Sequence, residues 1–196
     1  MYIDGTLFSD FLEHKEILWL GIDFTQAKFT QKGFNLPSEV LKSYFNEWNM
    51  LIISDQKKYD IRLSFRKPIM NYDLSMVSKK NKTIKPNQIL CENINVENVI
   101  EKEAMCQYLT GLNYPQLHPY ALLFVVESFD SNSKTGSVWV NIVHTKQSVP
   151  VLCEKFLKVP SGFGIKSYWS RTFYNLLYDI KNYAYYRWEN LVKTNI

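Results

Sequence analysis

The clearest pattern lies between Tyr120 and Val192. Apolar residues run without a break from Tyr120 to Val126, as in a strand covered on both faces. The turn formers Asp130 to Gly136 follow, and then Ser137 to Thr145, rich in β-branched and aromatic residues. This predicts a hairpin. A second polar turn, Lys146 to Ser148, leads into Val149 to Phe156, where Val151, Cys153 and Lys155 alternate with Leu152, Glu154 and Phe156. Beyond Pro160 the period changes to that of a helix. Trp169, Phe173, Leu176, Leu177, Ile180, Ala184, Trp188 and Leu191 fall at steps of three and four, on one stripe that should lie on the sheet.

The first half repeats the alternation less sharply. Residues 1–16 read as a short helix or a loosely attached arm. Ile17 to Phe24 is an apolar run and predicts the first buried strand, with Gly21 marking a bulge or a close approach. Pro37-Ser38-Glu39 signals a helix start, and Val40 to Ile52 keeps helical spacing. Ile61, Leu63 and Phe65 fit a strand or an irregular continuation. Ile69 to Val77 reads as a second core strand, Ser78 to Asn87 as a charged loop, and Asn93 to Leu109 as a helix capped by Asn95. The sum is a single α/β domain over residues 1–196, a mixed sheet of about five strands in the order β-α-β-α-β-β-β-α with helices packed on it.

Composition agrees with a folded, unstapled core. The chain has 196 residues, 46% of them hydrophobic, and no apolar run approaches the roughly 20 residues that span a bilayer. Met1 to Gly5 lacks the basic and apolar regions of a signal peptide, which predicts a cytoplasmic protein, or a periplasmic or cell-envelope one if a leader has been removed. Cys91, Cys106 and Cys153 read as buried free thiols. A Cys91–Cys106 disulfide is the sharper alternative.

Charge adds one feature. The net charge is +4, but nine basic residues stand against Asp60 and Asp73 between Lys57 and Lys85. Tyr59, Phe65 and Tyr72 interleave with them, a combination that suits a nucleic-acid backbone or an anionic surface. The plainer reading, a solvated loop pair whose charges never converge, is the one adopted, so nucleic acid is not the expected partner.

Candidate chemistry is sparse. Ser161-Gly162-Phe163-Gly164 precedes a helix whose first turns carry Lys166, Ser167 and Arg171, so Gly162, Gly164, Lys166, Ser167 and Arg171 form a candidate anion site. The plain alternative is a sharp turn that packs Phe163 on the core. Asp23 and Glu127, near the ends of apolar strands, become neighbours if those strands are adjacent, although cap or ion-pair roles are the favoured reading. His14, His118 and His144 are too scattered for a metal site, and no cofactor or catalytic residue is implied.

Leu20-Gly-Ile-Asp-Phe-Thr25, Val125-Val-Glu-Ser-Phe129 and Gly162 to Trp169 together resemble an uncharacterised bacterial family of small α/β proteins, many exported to the cell envelope. The resemblance implies a fold and no chemistry. This chain departs from the family in a longer N-terminal arm and in the missing signal. The function expected is therefore a non-enzymatic binding or protein-interaction module, as a homo-oligomer or with a protein partner, with Tyr183, Tyr185 and Tyr186 as exposed interface residues. The alternative is an unrecognised enzyme or small-anion binder at the Ser161–Gly164 turn.

Overall fold

A computed structural model describes residues 1–95 and 98–194. The chain begins with strand β1 (Tyr2–Ile3), helix α1 (Gly5–Glu13) and strands β2 (Glu16–Asp23) and β3 (Lys28–Thr30). Helix α2 (Ser38–Ser54), the one-turn α3 (Ile61–Ser64), β4 (Ile69–Tyr72), α4 (Ser75–Lys82), the one-turn α5 (Pro86–Ile89) and β5 (Leu90–Cys91) come next. The second half consists of α6 (Lys102–Thr110), β6 (Tyr120–Asp130), β7 (Thr135–His144), β8 (Val149–Lys158) and α7 (Ile165–Asp179). A π turn over Ile180–Ala184 carries α7 into α8 (Tyr185–Lys193).

The strands form one open mixed sheet in the order β1-β8-β7-β6-β2-β4, with β3 beside β6 and β5 beside β3. β2 is parallel to β4 and β6, whereas β6, β7, β8 and β1 pair antiparallel. The α/β class therefore holds, but the sheet has eight strands and not about five. β1 and β5 have two residues each and β3 has three, too few to show a period.

Each face of the sheet has its own core. One is aromatic, built from Phe8 and Phe11 of α1, Phe45 and Trp48 of α2, and Trp169, Phe173 and Trp188 of the last helices. The other lies under α4 and α6, with Val77, Met105 and Leu109 against Leu18, Leu20, Leu123 and Trp139. β6 is buried from Tyr120 to Phe129, as its unbroken apolar run requires.

Several expectations change. Residues 1–16 are no loose arm, because Phe8 and Phe11 are fully buried and β1 pairs with Leu152 and Cys153. Ile69 to Val77 is not a core strand: pairing stops at Tyr72, the Asp73 carboxylate accepts the Ser75 N–H, and the chain turns into α4. The expected charged loop is largely that helix. Ile61 to Ser64 is a helical turn capped by Asp60. The described helix α6 starts only at Lys102, and Val96 lies outside the described residues. The π turn advances the apolar stripe of the last helix by one residue, so Val192 is buried where Leu191 was expected.

β4 covers only Glu16 to Trp19 of β2. Beyond it, two asparagine side chains take the place of a neighbouring strand. Asn49 of α2 accepts the Ile22 N–H at 2.7 Å and donates to the Ile22 carbonyl at 3.0 Å. Asn81 of α4 accepts the Phe24 N–H at 2.9 Å and donates to the same Ile22 carbonyl at 2.9 Å. These bonds satisfy backbone groups that burial would otherwise leave unpaired. Gly21, at φ 107°, makes room for them: a Cβ there would lie 2.5 Å from Asn49 Oδ1.

All three cysteines are free. The Cys91–Cys106 pairing is not formed: Cys91 sits on β5 facing the Phe29 carbonyl, and the sulfur beside Cys106 is that of Cys153, 3.8 Å away.

Candidate functional site

The turn before α7 has the conformation that its glycines allow, with φ 116° at Gly162 and 72° at Gly164. No side chain caps α7, and no acidic residue stands in its first turn. The cations near it are engaged elsewhere. Lys166 pairs with Glu47 of α2 at 2.6 Å, and the Arg171 guanidinium lies 4.0 Å from the centre of the Tyr174 ring. The Lys166 carbonyl accepts from the Trp48 indole at 3.0 Å, which ties the turn to the aromatic core. Glu47 is held below the usual carboxylate range by its hydrogen bond to Lys166, and the ammonium is raised by the same bond. Phe163 does not pack on the core. It is 97% exposed.

Two more exposed apolar residues precede Phe163 in the chain. Leu157, at the end of β8, is 65% exposed, and Val159 is 66% exposed. β1 pairs with β8 only at Leu152 and Cys153, so among the described residues nothing pairs with the outer edge of Glu154 to Lys158. An unpaired edge beside exposed apolar side chains is a template for another strand. Sequence reasoning missed it, because only the sheet order shows that β8 has no neighbour beyond the two-residue β1. Of the three tyrosines expected at an interface, Tyr183 and Tyr186 are exposed but Tyr185 is buried. It falls on the inward stripe of α8 with Trp188 and Val192.

A polar cluster lies at the carboxyl end of β2. Since β2 sits between two parallel neighbours, that end opens where open α/β sheets hold ligands. Asp23 is fully buried there. Its Oδ1 accepts from the Thr25 N–H at 2.8 Å and the Thr25 hydroxyl at 2.6 Å, and its Oδ2 accepts from the Tyr108 hydroxyl of α6. The Lys80 ammonium of α4 lies 3.8 Å from Oδ2 and 4.9 Å from the Tyr108 ring centre. Burial, reinforced by Asp23, pushes the Tyr108 phenol far above its ordinary value. Glu127 stands on the adjacent strand, but no hydrogen bond joins the two carboxylates among the described residues. Glu127 instead binds Ser137 at 2.6 Å, Lys155 at 3.1 Å and the Ile100 N–H at 2.7 Å. The two carboxylates therefore form separate, internally satisfied sites, each in the ion-pair role favoured from the sequence.

The basic section is dispersed. Lys67 is buried under α1, Arg66 pairs with Glu189 and stacks on Tyr186, and Lys80 faces Asp23. Among the described residues, no group of three or more His, Cys, Asp and Glu side chains converges as metal ligands would. No described helix is long and apolar enough to cross a membrane. Compared with protein-family models, curated proteins and solved structures, the chain matches none.

Proposed function

We propose that the protein is a non-enzymatic interaction module that docks through the outer edge of β8 and the apolar corner beside it, with a second copy of the chain as occupant. The observation that carries this is the exposure of Leu157 and Val159 at the end of an unpaired strand edge, with Phe163 exposed in the turn that follows. Light scattering over a range of concentrations tests it. The wild type should dimerise, and Leu157→Lys should remain monomeric with an unchanged circular dichroism spectrum. A wild type that stays strictly monomeric at high concentration would sink the proposal.

A second reading is a small-anion site at the turn itself, supported by the uncapped start of α7. Phosphate, sulfate and phosphorylated ligands should then raise the melting temperature, and a flat response across the panel removes it. We read the working compartment as the cytoplasm, with three free thiols, two of them adjacent, in support.

A further inference from the structure

We infer that the cleft between α4 and the segment after α6 binds a small amphipathic anion, an oxyanion head on an apolar body. The cavity is about 570 Å³, within the range of small-molecule sites. Met76, Leu112, Tyr114 and Pro115 supply its apolar lining, and Lys79 and Lys80 supply its charge.

Lys80 is the residue that points to an anion. Its side chain is only 28% exposed, and it is positioned from two directions, by the buried Asp23 carboxylate and by the face of the Tyr108 ring. At 3.8 Å the carboxylate attracts the ammonium without accepting a hydrogen bond from it. Asp23 spends its oxygens on Thr25 and Tyr108 instead. Among the described residues, the Lys80 ammonium has no hydrogen-bond acceptor, so a half-buried cation is held in place with its donors unspent. Lys79, its neighbour at the cleft, forms no ion pair among the described residues. With Asp23 counted, these three groups leave one positive charge facing an apolar lining. A carboxylate or phosphate would supply the missing acceptors, and an apolar body would cover Leu112 and Tyr114. Met76 adds a side chain that adapts to the shape of its neighbour.

The site is separate from the β8 edge and from the turn before α7, so it stands whether or not the chain dimerises. The test is a set of titrations of the full chain, followed by amide chemical shifts, with 3-phenylpropionate, phenyl phosphate and the neutral 3-phenylpropionamide. Both anions should saturate and move amides of Ser75–Lys80 and Gly111–Tyr114. The neutral amide should bind about tenfold more weakly, the value of one charge-assisted contact. Lys79→Met, which removes no internal partner, should bring the anions down to the level of the amide, and raised salt should do so in part. Lys80→Met should do the same, with Lys79→Met guarding against a disturbed Asp23 cluster. A preference for phenyl phosphate or for the carboxylate identifies the head group. The inference is overturned if neither anion saturates, if the neutral amide binds equally well, or if the shifts map to Ser161–Arg171.

Discussion

Single residues carry more of this fold than their number suggests. Lys67 is one: its ammonium is buried, 2.7 Å from the His14 carbonyl and 3.2 Å from that of Leu12, and it also donates to Phe11. The Leu12 and His14 carbonyls lie at the end of α1, where helical partners run out, whereas the Phe11 carbonyl also accepts the His14 N–H. Lys67→Met should therefore lower stability by about 2–4 kcal/mol, since the apolar chain fills the space but strands buried acceptors. Urea unfolding measures the loss, and an unchanged midpoint would show that the carbonyls find water. The facing thiols make a second residue-scale prediction. Cys106 and Cys153 lie 3.8 Å apart, and burial pushes the Cys153 thiol well above its ordinary value, so Cys106 is the sulfur that attacks. With diamide, the two thiols should give up two protons and two electrons to form one S–S bond, the diamide becoming the hydrazine. Mass mapping should find Cys106 joined to Cys153 and Cys91 still free. Protein alkylated inside the cell should show three thiols if the compartment is reducing, whereas a pre-formed Cys106–Cys153 bond would move it to an oxidising one.

At the scale of elements, β2 shows what a strand needs when its neighbour is too short. Asn49 stands in for β4 at Ile22, and Asn49→Leu should cost about 1–3 kcal/mol because it strands the buried Ile22 N–H, while the Ile22 carbonyl keeps its bond from Asn81. Thermal unfolding reads the loss, and Met50→Leu, on the exposed side of the same helix, serves as the control. The same bonds explain what was legible in the sequence. β6, β7, β8, α2 and the last helices each bury a long continuous face, and their periods are plain. α4 buries only Val77 and Asn81, and a helix whose inward face is half polar carries almost no apolar period. Asp23 stood out as a charge ending an apolar run. Its partners did not, because Thr25, Lys80 and Tyr108 come from three parts of the chain and meet only when α4 and α6 settle on one face of the sheet. Phe163 misled for the opposite reason: an aromatic between two glycines looks like an anchor, yet the turn carries it away from both cores.

The molecule as a whole should lose stability in alkali, and the sign follows from where its tyrosines sit. Burial, acting first in each case, raises the phenols of Tyr108, Tyr114 and Tyr185 above their ordinary value of 10.0, and raises the Cys153 thiol above 9.0. The folded pKa then exceeds the unfolded one, so the unfolded chain gives up these protons first. The stability they contribute is complete below the unfolded values and falls as pH climbs past them, by about 1.4 kcal/mol per pH unit for each group. Lys67 acts in the other direction. Burial lowers its pKa from 10.5 to about 8, so between those values the unfolded chain holds a proton that the folded chain has released, and stability from this group rises with pH. One lysine opposes three phenols and a thiol, and its window opens first. The urea midpoint should therefore rise or stay level from pH 8 to 9 and then fall steeply above pH 10. Lys67→Met should remove the early rise, and Tyr114→Phe, which gives up the hydroxyl's 2.8 Å bond to the Leu109 carbonyl, should soften the fall. A midpoint still climbing beyond pH 10 would mean that these phenols ionise within the fold as they do in water, and so that the two cores are open to solvent.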